Sequence, residues 1–125
     1  MITRSQRFSR LVYEKVSKHV SEAKANRDKY ITMAQKLPVL IQTAGLAQAI
    51  AFLEAKSQGE SEKMNRCLLE DLSSVLGFNS VEEFSKKCRE AELTEYLWLT
   101  QNALSALLWF KRFSVSVLEV EENAE

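Results

Sequence analysis

From Lys36 to Leu53 the chain reads Lys-Leu-Pro-Val-Leu-Ile-Gln-Thr-Ala-Gly-Leu-Ala-Gln-Ala-Ile-Ala-Phe-Leu, with no charged residue after the first. Elsewhere charge is frequent, at 27% of the 125 residues. An uncharged stretch in such a chain has to be largely buried, so it sets the centre around which the rest folds. Pro38 suits the first turn of a helix, where its missing N–H has no intrahelical partner to lose. The residue before a proline is pushed out of helical geometry. One helix is therefore predicted to stop before Pro38 and another to start there. Gly45 interrupts the helical pattern, and either a kink or a true break fits it.

The flanking sequence is helical as well. Thr3-Arg4-Ser5-Gln6 reads as a capping box, followed by Phe8, Leu11, Val12, Val16 and Val20 at helical spacing. A second helix is predicted from about Ala25–Asn26, with Tyr30, Met33, Ala34 and Leu37 on one side. The Pro38 helix should reach Lys56, with Gly59 as its left-handed cap. Residues 57–61 form the best candidate for a flexible connection. A helix follows from about Glu60 to Leu76, ended by Gly77. Ser80-Val81-Glu82-Glu83 reads as another capping box and opens a short helix through Arg89. The last helix should run from about Glu92 to Val117. Only three Gly, one Pro and little β-branched alternation accompany this pattern. The expectation is an all-α, compact bundle of about five or six helices, in one domain over residues 1–118. Residues 119–125 form an acidic tail expected to be disordered.

The last helix is apolar almost all round, which marks a central helix or one that meets partners. Leu93, Leu97, Leu104, Leu107 and Leu108 make one face. Trp98, Trp109 and Phe113 make a second, a candidate protein interface. An indole pair can also stack on bases, but cations are sparse around this one.

Net charge is zero, and the two ends of the chain differ in sign. Residues 1–36 hold nine Lys or Arg against three acids, a net of +6. Residues 60–92 hold five against eight and residues 93–125 two against five, −3 each. On a helical wheel Arg4, Arg7, Arg10 and Lys18 gather opposite the apolar stripe, interrupted only by Glu14. Together with Arg27, Lys29 and Lys36 they suit a polyanion, because phosphates supply affinity without sequence information. Lys111 and Arg112 could join them, although Lys111 also suits the negative end of its helix. A solvated charged face would have the same composition. The opposed charges also suit head-to-tail contact between copies.

Catalytic signatures are missing. There is no Gly-rich phosphate loop, no nucleophile elbow and no metal-spaced set of ligands. Acid pairs such as Glu70-Asp71 and Glu82-Glu83 are adjacent on helices and do not converge. His19, on the apolar arc of the first helix, reads as a packed, hydrogen-bonded side chain, with no second histidine and no carboxylate pair evidently placed to serve it. Cys67 and Cys88 lack the close pairing of a zinc site and read as reduced thiols. No enzyme activity, cofactor, metal or small-molecule substrate is expected. The start lacks a secretory pattern, and the longest apolar run, Ala103 to Phe110, is far shorter than the roughly 20 residues of a membrane span. A soluble, cytoplasmic protein is expected.

The uncharged stretch, read together with Tyr96, Thr100, Ala103-Leu104 and Trp109-Phe110-Lys111-Arg112-Phe113, resembles the small subunit of the type III-B CRISPR effector, the Cmr complex. Arg4, Arg7-Phe8, Leu11, Tyr13-Glu14 and Val16 support the resemblance. Two positions depart from it: Phe110 replaces a smaller aliphatic residue, and Asn102 replaces an acid. The resemblance implies an all-helical, non-catalytic protein of antiviral defence. Its partners would be other effector subunits, further copies of itself, guide RNA and target RNA. A helical adaptor with no nucleic-acid role is the alternative that composition leaves open.

Overall fold

A computed structural model describes residues 1–59 and 62–119. Among these residues the chain forms six α-helices and no strand. They are α1 (Arg4–Ser17), α2 (Lys24–Ala44), α3 (Leu46–Ala55), α4 (Lys63–Val75), α5 (Val81–Glu90) and α6 (Leu93–Phe113), with a π-helical turn at Ser114–Glu119. The all-α bundle expected from the sequence is what the chain adopts. Residues 60–61, in the expected linker, and residues 120–125 of the acidic tail lie outside the described residues. Glu119, the first residue assigned to that tail, belongs to the π-helical turn.

Local signals place most of the helix ends. At α1 the Thr3 hydroxyl accepts the N–H of Gln6 at 3.0 Å, and the Gln6 side chain accepts the N–H of Thr3 at 2.8 Å. This is the predicted capping box, which satisfies two orphan donors. At α5 the Ser80 hydroxyl accepts the N–H of Glu83 at 3.1 Å, but the Glu83 carboxylate reaches Asn79 N–H at 3.3 Å instead of closing a box on Ser80. Gly77, at φ +92°, ends α4. Its own N–H bonds Ser74 and that of Phe78 bonds Ser73, a Schellman closure open only to a residue at ease with positive φ.

Pro38 does not start a helix. It lies inside α2, which continues to Ala44. The missing N–H leaves Ala34 without its usual partner, at a cost on the order of 3 kcal/mol. Leu37 and Ile41 on either side of it are both buried, each stabilising by roughly 1.5–3 kcal/mol. Because α2 packs against α3, α4 and α6 along its length, tertiary contact outweighs the local preference. The true break is Gly45, at φ +92° and ψ 159°. It ends α2 by donating to Ile41 at 2.9 Å and opens α3 by accepting from Ala49 at 3.0 Å. Gly59 does not cap α3, which closes at Lys56.

The first helix ends at Ser17, so His19 and Val20 lie in the turn beyond it. The last helix widens after Phe113 into the π-helical turn, which brings Leu118 into the core beside α1 and α2. The buried face of α6 is Leu99, Ala103, Ala106, Leu107 and Phe110. It is not the predicted leucine row, of which Leu93, Leu97 and Leu108 are exposed. Two alanines on this face let neighbouring helices approach closely. Phe110 is fully buried there.

Candidate nucleic-acid and subunit interfaces

The helices distribute the sequence-predicted cations over separate surfaces. On α1, Arg4, Arg7 and Arg10 are exposed, and Lys18 is exposed at its C-terminal cap. Arg4 donates to the Asn102 side chain at 2.7 Å, tying the start of α1 to the middle of α6. The side chains of Arg7, Arg10 and Lys18 make no hydrogen bond or ion pair among the described residues, so their charge faces solvent.

Lys36 lies elsewhere, on the α2–α3 side. Its ammonium sits 4.9 Å from the centre of the Phe52 ring, and that of Lys56 sits 5.8 Å from the same ring. Each is a cation–π contact. Lys56 was missed in the sequence, although its spacing of four from Phe52 on a helix is the signal that would have found it. Arg27 is half-buried and reaches the Leu118 carbonyl at 3.5 Å. It and Lys29, which is exposed, both have further partners within the chain. Lys111 and Arg112 are exposed in the last turn of α6.

The predicted tryptophan face divides into two places. Trp109 and Phe113 stack at 5.4 Å between centres and 27° between planes. The Trp109 indole N–H donates to the Ser5 hydroxyl at 3.2 Å, and Phe113 meets Tyr13 of α1 at 5.3 Å and 81°. Arg112 lies 5.9 Å over the Trp109 ring. Cations are thus not sparse around this indole. Trp98 stands apart, 58% exposed near the start of α6 beside exposed Leu93 and Leu97. Nearby, Lys87 and Glu95 form an exposed ion pair at 3.2 Å.

One polar cluster is internal. Asp71 of α4 accepts from the Tyr30 hydroxyl at 2.7 Å and lies 2.8 Å from Nε2 of His19, through the same oxygen. His19 and Tyr30 rings touch at 4.6 Å. The packed, hydrogen-bonded histidine predicted from sequence is therefore present, and its partner is a single carboxylate. Asp71, one of two adjacent acids on α4, meets two partners that lie 52 and 41 residues away. Burial and the adjacent Asp71 carboxylate raise the Tyr30 hydroxyl well above its ordinary range. Burial is also the main cause that raises Cys67, with Asp71 adding to it. It pushes Cys88 up to about 12, helped by Glu54. Both thiols are free and protonated at neutral pH. The Glu22 carboxyl is lowered, first by a hydrogen bond from Asn26 and then by Lys63.

Among the described residues no group of three or more His, Cys, Asp or Glu side chains converges to hold a metal ion. No helix is long and apolar enough to cross a membrane. The chemistry the surfaces offer is that of contact: cations, aromatic rings and apolar side chains on rigid helices.

Comparison with known proteins agrees with the fold. Residues 4–117 match the family model described as CRISPR-associated protein (Cas_Cmr5). The chain is 41% identical over 119 residues to the CRISPR system Cmr subunit Cmr5 of Thermus thermophilus, covering 95% of this chain and 99% of that one. It also superposes on the crystal structure of a CRISPR-associated Cmr5 family protein from Thermus thermophilus. The TM-score is 0.85 at 42% identity, over 94% of this chain and 99% of the other.

Proposed function

The chain belongs to the Cas_Cmr5 family of CRISPR-associated proteins, and from that premise we propose that it is a non-catalytic small subunit of a type III-B Cmr effector complex. In this role it packs against other subunits and further copies of itself in the cytoplasm. It helps to hold guide and target RNA while base pairing in the guide reads the sequence.

The observation that carries the RNA part is the cationic surface of α1. Arg7, Arg10 and Lys18 are exposed on one short segment, interrupted by Glu14, and none of them forms an ion pair among the described residues, although the whole chain has no net charge. A surface of that kind tracks a phosphate backbone without choosing a sequence. The exposed Leu93, Leu97 and Trp98 support contact with a protein partner, since apolar side chains grouped on a surface mark such sites.

Charge reversal at Arg7 and Lys18 tests the RNA role. The fold should persist, binding to single-stranded RNA should weaken, and the slope of log affinity against log salt should flatten by about 0.7 per lost contact. Affinity purification from the host gives the partners directly. Effector subunits and short guide RNAs are expected to co-purify. Recovery of unrelated proteins without RNA, together with an unchanged salt slope, would favour a helical adaptor instead.

A further inference from the structure

The seam between α1 and the end of α6 holds a run of aromatic rings that the phosphate-contact role does not use. Tyr13 touches Phe113 at 81°, and Phe113 stacks on Trp109. Trp109 is in turn fixed by Ser5 and covered by Arg112. Tyr13, at the α1 end of this run, is 52% exposed, and its ring is held in place by a neighbour on another helix. A bulky aromatic side chain fixed in orientation and left open to solvent is suited to bind a flat partner with little further loss of freedom.

Charge selects the kind of partner. Arg10 lies three residues before Tyr13, so the two are neighbours on the helix surface, and it makes no ion pair among the described residues. Arg112 lies along the same run. The other exposed aromatic, Trp98, has Lys87 nearby, but that ammonium is paired with Glu95 at 3.2 Å, whereas Arg10 has no ion-pair partner among the described residues. Cations flanking an aromatic face form the arrangement that binds single-stranded nucleic acid, with bases on rings and phosphates on cations. Resting on the RNA role above, we propose that Tyr13 is a stacking platform for one base of a single-stranded RNA, with Arg10 and Arg112 contacting the flanking phosphates. Stacking is indifferent to base identity, which suits an assembly whose sequence reading is done by pairing.

The test uses the full chain and a short oligouridylate, with and without one abasic position, titrated at several salt concentrations. Wild type should bind the intact oligomer more tightly than the abasic one. Tyr13→Leu should lose roughly tenfold in affinity and lose that preference, while its salt slope stays that of wild type. Tyr13→Phe should keep both. Thermal melts of both variants verify that the seam still packs. Equal binding of intact and abasic RNA by wild type, or unchanged binding by Tyr13→Leu, overturns the platform. If the charge reversals at Arg7 and Lys18 still flatten the salt slope in that case, the RNA role stands without it. Absence of RNA binding even at low salt overturns both.

Discussion

Tyr96 and Gly45 fit each other across the break between α2 and α3. The Tyr96 hydroxyl of α6 accepts the N–H of Ala47 at 3.0 Å, in the first turn of α3. It also lies 3.3 Å from where a side chain on Gly45 would begin. The glycine thus meets two demands at once: φ of +92°, which side chains disfavour, and room for a hydroxyl that caps the next helix. Gly45→Ala should destabilise the fold by about 1–3 kcal/mol, from the strained backbone and the displaced hydroxyl. Tyr96→Phe should cost about 1 kcal/mol, that of one hydrogen bond. Because both act on the same contact, the double variant should lose less than the sum, which denaturant melts of the four proteins would measure.

Arg4 and Asn102 pair at 2.7 Å where the family resemblance leads one to expect an acid on α6. Asn102→Asp should convert this hydrogen bond from a charged donor into an ion pair without changing its geometry. Arg4 is exposed, so the gain should stay within about 1 kcal/mol and shrink as salt rises. A melting temperature unchanged or lowered at low salt would contradict the pairing.

The buried acids with raised pKa make stability fall in alkali. Cys88, pushed up to about 12 chiefly by burial, holds its proton more tightly in the folded chain than in the unfolded one, where the value is 9.0. Tyr30 and Cys67 move in the same direction. The contribution of such a group is whole below its unfolded pKa and is lost as pH rises towards the folded one. Unfolding free energy should therefore hold steady to about pH 8 and decline above about pH 9, by up to ~1.4 kcal/mol per pH unit for each thiol, with Tyr30 adding to the decline only above about pH 10. Cys88→Ala should show a shallower decline in denaturant melts between those conditions and about pH 11. An identical slope would place the effect on other groups. Iodoacetamide at about pH 8 should label half-buried Cys67 before buried Cys88.

Helix identity was legible wherever the signal was local. The Thr3–Gln6 box and the Gly77 stop are set by a few neighbouring atoms, and the structure has both. Pro38 misled because its local preference is smaller than the packing of the helix that contains it. The buried side of α6 misled for a related reason: leucine count favoured one face, while the close approach of other helices selected the alanine face. On the surface, the exposed cations of α1 followed from periodicity, because a wheel places residues of one helix relative to each other. Nothing in a wheel places Tyr13 against Phe113, or Arg4 against Asn102, since those pairs join residues 100 and 98 positions apart in sequence.

Asp71 is the clearest case of such a long-range pairing, and it carries a prediction of its own. Its Oδ2 receives the Tyr30 hydroxyl and faces His19, so one carboxylate joins α2, α4 and the turn after α1. Tyr30→Phe removes one donor and leaves a carboxylate that still has His19, which should cost about 1 kcal/mol. Asp71→Ala instead leaves the fully buried Tyr30 hydroxyl and the His19 ring without their acceptor. That should cost more, about 2–4 kcal/mol, because unpaired buried polar groups bear the full desolvation penalty. Asp71→Asn keeps an acceptor oxygen and should fall between the two. In the Tyr30→Phe background the further loss from Asp71→Ala should shrink, since one of the two abandoned donors is already gone. Equal losses for Asp71→Ala in both backgrounds would mean that Tyr30 and Asp71 contribute independently, and that the bond between them adds little to holding the three segments together.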